Sequence, residues 1–141
     1  MKKILWTDDM SIGVELVDEQ HKLLIQHLND LTNAIESHHS VNQIVKTLDF
    51  LIEYTNYHFS AEEKHMSETN YPGLEHQKLK HDEFKTTLND LVDYFTEDGA
   101  THQLADSIDT LLINWLVKHI CVVDLEFGTF LKDKGIEIAE E

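Results

Sequence analysis

The sequence contains no arginine, and cysteine and proline occur once each, as Cys121 and Pro72. A single cysteine excludes an internal disulfide framework. With one proline and five glycines, the chain lacks the turn residues that many short strands need, so helix is the favoured element. No apolar run approaches the roughly 18–20 residues of a transmembrane helix, and the first residues lack the apolar core of a signal peptide. These absences predict a soluble, cytoplasmic protein.

Basic side chains are scarce, since 11 lysines stand against 27 aspartates and glutamates and the formal net charge is −16. Such a surface repels polyanions, so we expect no nucleic-acid partner. Apolar residues make up 41% of the chain, which is enough for a core and too much for an acidic disordered chain. The length predicts one domain over residues 1–141. Histidine is abundant, with ten copies.

Apolar residues recur at three- and four-residue intervals in four stretches, as expected for amphipathic helices. The predicted helices cover about residues 17–37, 41–66, 74–97 and 102–132. Helices joined by short loops favour an all-α fold, an up-down-up-down antiparallel four-helix bundle within residues 17–132. The same spacing assigns Leu23 and Leu79 to buried helix faces.

The ends of the chain are predicted as an N-terminal arm, residues 1–16, and a C-terminal tail or helical connector, residues 133–141. Trp6 is expected to pack across the bundle, because an exposed indole leaves a large apolar surface in water.

Two pairs of metal-ligand side chains lie on the predicted helices. His58 and Glu62 are four residues apart, so about 40° separates them around the helix and both face one side. Asp124 follows His119 in the apolar stretch of the fourth helix, where an uncompensated carboxylate would cost several kcal/mol. Asp124 is therefore expected to meet a cation.

The first and third helices each add a histidine near the apolar face, His21 and His81. Any one of these histidines, taken alone, is explained by a surface position or by a hydrogen bond in the core. Together, ligand side chains from four helices at matching depth indicate a metal site, because bundles build metal sites from facing helices.

The other histidines carry weaker signals. Glu62-x-x-His65 has the spacing used by ferritin-like di-iron proteins, but the only other copy, Glu36-x-x-His39, falls at a helix end. Four histidines are expected to face solvent: His27, His38, His39 and His102.

Four segments carry a joint pattern, in chain order: Asp18-Glu19-Gln20-His21, His58-x-x-x-Glu62, Tyr71-Pro72 and Trp115-x-x-x-His119-Ile120-x-x-x-Asp124. Together they resemble the bacterial hemerythrins over nearly the whole chain. The resemblance implies a non-haem di-iron centre with carboxylate and oxo or hydroxo bridges, which binds O2 reversibly inside a four-helix bundle. It also implies the ligand roles: Glu62 and Asp124 bridge the irons, His21 and His58 bind one iron, and His81 and His119 bind the other.

One position departs from the hemerythrin pattern. The family places two histidines four residues apart on the third helix, whereas the residue four before His81 is Gln77. His76 lies five residues before His81, about 140° around a regular helix. We expect Gln77 to be a non-ligand or a weak contact, with water in the vacant position, unless local over- or underwinding brings His76 inward. The resulting open site predicts faster oxidation of the ferrous pair and a shorter-lived O2 complex.

The resemblance allows both a free-standing oxygen carrier and an input domain of a signalling protein, such as a diguanylate cyclase or a chemoreceptor. The altered ligand set favours an oxygen or redox sensor, with O2 as the ligand, NO or small anions as alternatives, and a covalently linked output domain as partner. No nucleophile–base pair is evident, so we expect no enzymatic activity.

Two other functions remain open. An open di-iron site could act as a peroxidase or oxidase, and a metal-free bundle could act through its acidic surface. Manganese or zinc in place of iron is also compatible with the ligand types.

Overall fold

The computed structural model describes residues 4–138 and contains four long helices in an antiparallel bundle. The helices are α1 (Glu15–Glu36), α2 (Val41–Glu68), α3 (Leu74–Asp98) and α4, which covers residues 102–134. Each helix packs against the next, and α4 closes the ring by packing against α1. The predicted all-α, up-down-up-down four-helix bundle is confirmed.

Local sequence sets the helix ends. Ser40 starts α2 with a capping box, in which its hydroxyl accepts the backbone N–H of Gln43 and the Gln43 side chain accepts the backbone N–H of Ser40. Gly135 ends α4 in the left-handed conformation, with φ of 66°. Residues 136–138 of the predicted tail are not helical, and residues 1–3 of the arm and 139–141 of the tail lie outside the described residues.

The N-terminal arm contacts both α1 and α4. Near its start, the backbone of Ile4 exchanges two hydrogen bonds with the side chain of Asn29 on α1. Trp6 is half-buried and packs against the core, as expected. Farther along, Ile12 is buried against Gly128 of α4, where an added Cβ would overlap the carbonyl oxygen of Ile12. Glycine at this position is what allows the arm to lie so close to α4.

Helix α4 is not a uniform α-helix. Two six-residue π-helical segments, Ile108–Ile113 and His119–Asp124, alternate with its α-helical parts. A π-helical turn bonds residue i to residue i+5, so it changes which side chains share a face. The fourth helix predicted over about residues 102–132 is present, but two wider turns interrupt its α-helical course.

Two apolar residues do not lie where their spacing predicts. Leu23 is 46% exposed and Leu79 is 65% exposed. Leu23 lies next to the buried Leu24, about 100° away around α1. Leu79 is two residues from both Gln77 and His81, which are buried, so it lies on the opposite face of α3.

Among residues 4–138, no helix combines the length and the apolar character that crossing a bilayer requires.

Candidate metal centre

Six polar side chains from all four helices meet inside the bundle, and each is at most 3% exposed. Their ligand atoms form two overlapping groups, each within a mutual distance of 4.8 Å. The first half-site consists of His21, His58, Glu62 and Asp124. The second half-site consists of Glu62, His81, His119 and Asp124. The structure thus brings together all six ligand candidates of the sequence analysis.

Glu62 and Asp124 belong to both half-sites, and each directs one carboxylate oxygen to each half-site. Glu62 Oε2 lies 3.6 Å from His21 Nε2 and 3.5 Å from His58 Nε2, whereas its Oε1 lies 3.0 Å from His81 Nε2. Asp124 Oδ2 lies 3.0 Å from His21 Nε2. The other oxygen of Asp124, Oδ1, lies 3.1 Å from Nε2 of the remaining histidine of the second half-site. Each carboxylate is therefore placed to span two cations.

Several atoms at the centre of this cluster are buried without a hydrogen bond. They are His21 Nε2, His119 Nε2, Glu62 Oε2 and Asp124 Oδ2. Buried polar atoms without a hydrogen bond cost free energy unless a cation coordinates them. Imidazole nitrogens and carboxylate oxygens suit iron as well as zinc and manganese. The residues present therefore fit a pair of such ions.

The π-helical segment explains how His119 and Asp124 reach one site. In a regular α-helix, side chains five residues apart lie about 140° from each other. The π-helical turn over His119–Asp124 brings them onto one face. The same spacing separates His76 from His81, but α3 is α-helical there and His76 is exposed, outside the cluster.

Gln77 is buried beside the ligand candidates, with 1% exposure. Its Nε2 donates to Asp124 Oδ1 at 2.9 Å and lies 3.4 Å from the carbonyl oxygen of Val123. Its Oε1 has no hydrogen bond. The amide therefore orients Asp124 on the side of the second half-site.

Two side chains outside the cluster orient its histidines. His58 Nδ1 lies 2.8 Å from Gln20 Oε1, and His81 Nδ1 lies 2.7 Å from Glu63 Oε2. With Nδ1–H donating outward, Nε2 of each ring faces the cluster. Neither role was predicted from the sequence. Glu63 carries no sequence signal for it, because its partner lies 18 residues away on another helix.

Aromatic rings cover the second half-site. Phe59 stacks on His81, with ring centroids 3.9 Å apart and planes 7° apart. Trp115, which is half-buried, stacks on His119 at 4.5 Å and 10°. These rings hold both imidazoles in place and keep water from that side of the cluster.

Burial and neighbouring charge set different pKa values for the histidines of the metal-free chain. Burial would lower the pKa of His21, but the adjacent carboxylates of Asp124 and Glu62 outweigh it and raise the pKa to about 9. The pKa of His81 is raised to about 9 against burial in the same way, by its carboxylate partners. At His58 burial prevails, and the pKa is lowered to about 4.

The two shared carboxylates remain ionised. Burial would raise the pKa of Glu62, but the surrounding histidines, His58 foremost, hold it well below its ordinary value. Burial and the charge of Glu62 would raise the pKa of Asp124, but His119 and His21 outweigh them and lower it. At neutral pH two imidazolium cations therefore balance two buried carboxylates, and incoming metal ions must displace those protons.

The other histidines do not join the cluster. His39 is exposed, so the second copy of the ferritin-like spacing does not reach the bundle interior. His38 and His102 are also exposed, as expected. His27 is instead half-buried, with its ring 5.3 Å from that of Tyr54, which corrects the expectation of a solvent-facing side chain.

Comparisons with known proteins agree with this geometry. Residues 12–131 match the family described as the hemerythrin HHE cation binding domain. A bacteriohemerythrin of Stenotrophomonas maltophilia (strain R551-3) is 32% identical over 141 residues, which cover 100% of this chain and 90% of the relative. A bacteriohemerythrin of Methylococcus capsulatus is 30% identical over 132 residues, which cover 93% and 98% of the two chains. A crystal structure of a leucine-to-phenylalanine mutant, 29% identical, aligns with a TM-score of 0.80 over 92% of this chain and 97% of that chain.

Proposed function

This chain belongs to the hemerythrin family, and we propose that it binds a pair of iron ions and, through them, O2. One observation carries the proposal: Glu62 and Asp124 each present one oxygen to each half-site. We assign these carboxylates as the bridging ligands. We assign the terminal ligands by half-site, His21 and His58 to one iron, His81 and His119 to the other.

The protein's own groups prepare the site for that task. A bound ferrous pair would supply the electrons for reversible O2 reduction. Four neutral imidazoles and two carboxylates leave the net charge of such a site low, which suits burial. Phe59 and Trp115 exclude water from the second half-site, and Gln77 fixes the orientation of Asp124.

We propose that the role is oxygen or redox sensing rather than oxygen storage. Gln77 occupies a position where the family resemblance expects an imidazole, and its amide donates to Asp124. The second half-site then holds two histidines and leaves a position for an exchangeable ligand. A labile centre serves a sensor, whereas a carrier needs a long-lived O2 complex. The proposed setting is the cytoplasm, with a covalently linked signalling domain as the partner that receives the signal.

Metal analysis and absorption spectroscopy test the proposal. The reduced, reconstituted protein should contain two irons per chain and show a new charge-transfer band when O2 is admitted. Asp124→Ala should lose both properties, while Asp49→Ala, at an exposed position of α2, should keep them. A wild-type protein that takes up no iron, or that shows no O2-dependent band, would contradict the proposal. Turnover of peroxide with a reductant, absent from Asp124→Ala, would indicate the peroxidase alternative instead.

A further inference from the structure

The ring of His81 is held from both of its nitrogen atoms. Nε2 lies 3.0 Å from Glu62 Oε1, inside the cluster, and Nδ1 lies 2.7 Å from Glu63 Oε2, outside it. The ring is fully buried and stacks on Phe59. Glu63 is part of the fixed surroundings of this ring, although its own side chain remains 25% exposed.

The corresponding contact of the first half-site has a different chemistry. There, His58 Nδ1 lies 2.8 Å from Gln20 Oε1, a neutral amide oxygen. The Nδ1 atom of His81 therefore contacts a carboxylate, whereas the Nδ1 atom of His58 contacts an amide. The carboxylate contact belongs to the second half-site, in which Gln77, rather than an imidazole, lies beside Asp124.

We propose that Glu63 is a positioning residue that acts through His81 to strengthen the second half-site, and so offsets the imidazole that is absent at Gln77. The inference rests on the proposed di-iron function. A carboxylate that accepts the Nδ1–H of a ligand histidine fixes the tautomer and makes the other ring nitrogen a stronger donor. An amide oxygen carries no charge and has a smaller effect.

The contact that carries this role is the approach of Glu63 Oε2 to His81 Nδ1 at 2.7 Å. Replacing Glu63 with glutamine removes the charge and keeps the shape and a hydrogen-bond acceptor. Glu63→Gln therefore makes the second half-site resemble the first in this contact.

The test uses the full chain and measures the two successive Fe(II) dissociation constants anaerobically, together with the reduction potential of the loaded protein. In Glu63→Gln, the dissociation constant of the more weakly held iron should rise by about 10- to 100-fold. The potential should shift to more positive values, because a weaker donor stabilises Fe(III) less. Glu53→Gln removes the same charge from an exposed position of α2 and should change neither quantity. Circular dichroism and melting of the metal-free proteins control for folding.

A second background tests the link to position 77. In Gln77→His, the extra imidazole should make Glu63 less important, so Glu63→Gln should raise the dissociation constant by a smaller factor than in wild type. If Glu63→Gln changes neither the reduction potential nor the two dissociation constants, the inference is overturned. If Glu63→Gln raises the dissociation constant by the same factor in wild type and in Gln77→His, the offsetting role is overturned. A wild type that binds no iron overturns the proposed function as well, whereas a wild type that loads two irons with Glu63→Gln unchanged overturns this inference alone.

Discussion

Gln77 occupies the position at which the family resemblance expects an imidazole ligand, and its amide donates a hydrogen bond to one oxygen of Asp124. The change removes a nitrogen donor and adds a hydrogen bond to a proposed bridging carboxylate. Both effects weaken electron donation to the second half-site.

Gln77→His should therefore lengthen the lifetime of the O2 complex and slow the oxidation of the ferrous pair, by about tenfold or more given the usual effect of altered metal surroundings. Stopped-flow absorption after mixing the reduced protein with O2 measures both rates. Gln26→His adds a histidine at an exposed position of α1 and should leave them unchanged. A wild-type complex that is already stable for hours would contradict the argument.

Single residues also show which parts of the site the sequence reveals. His58 and Glu62 were predictable as a pair, because a four-residue spacing places both on one face of any regular helix. His119 and Asp124 were identified by composition and family resemblance, but their five-residue spacing gives no reason for them to share a face. That reason is the π-helical segment, which apolar periodicity does not reveal.

At the scale of secondary-structure elements, the five-residue spacing of the ligand candidates in α4 predicts how the deletion or insertion of one residue between them affects metal binding. Deleting the exposed Val122 should allow a regular α-helix, in which the histidine and aspartate are four residues apart and still share a face. Inserting one alanine at the same place should instead separate the two side chains by about 120°. Iron stoichiometry should therefore be kept in the deletion variant and lost in the insertion variant. If the insertion variant binds iron and the deletion variant does not, the π-helical turn does not set the ligand spacing.

The contact between the arm and α4 makes a second prediction. Gly128→Ala should lower the free energy of unfolding by about 2 kcal/mol or more, because the new Cβ overlaps a backbone carbonyl that cannot rotate away. Urea denaturation measures the loss, and Thr129→Ala at the exposed neighbouring position is the control. Equal stability of the two variants would mean that the arm moves aside at little cost.

The elements themselves were largely predictable, and the exceptions have physical causes. Four apolar stripes and short loops are sufficient to specify the bundle, since each stripe must be buried against a neighbour. The course of the arm depends on Gly128, a residue more than 100 positions away in the chain. Leu79 was assigned to the buried face of α3 from its approximate spacing to other apolar residues, but the structure exposes it to solvent.

For the whole molecule, the shifted pKa values predict how the stability of the metal-free protein depends on pH. The pKa of His21 and of His81 is raised from 6.5 to about 9, so the stability that they contribute is complete below pH 6.5 and is lost as the pH rises through 9. The pKa of His58 is lowered to about 4, so the unfolded chain takes up a proton between pH 6.5 and 4 and stability falls there as well.

Urea denaturation of the metal-free protein should accordingly give its largest free energy of unfolding near pH 6.5, the ordinary histidine value. The low pKa values of Glu62 and Asp124 add to the loss on the acidic side. The iron-loaded protein should lose the alkaline decline, because metal ions then occupy the places of the protons. A metal-free protein that gains stability steadily up to about pH 9 would contradict this charge arrangement.

Iron loading should stabilise the whole fold. A ligand that binds only the folded chain adds RT ln(1 + [L]/Kd), which is about 2.7 kcal/mol at a concentration one hundred times Kd. Melting temperatures with and without bound iron should differ by several degrees, and the difference should disappear in Asp124→Ala. An identical melting temperature of the two forms would favour the metal-free acidic bundle.

The short 3-10 turn Asp8–Met10 of the arm contacts the π-helical segment His119–Asp124, and Met10 is buried there. This contact has a kinetic consequence. The arm rests on the turn of α4 that carries two of the proposed ligands, so we expect the arm to detach before that turn relaxes, and local openings of this kind occur at their own rate. The residence time of a bound iron is then expected to depend on how often the arm detaches. A protein with a firmly seated arm would keep its iron through long periods of iron scarcity, whatever its affinity at equilibrium.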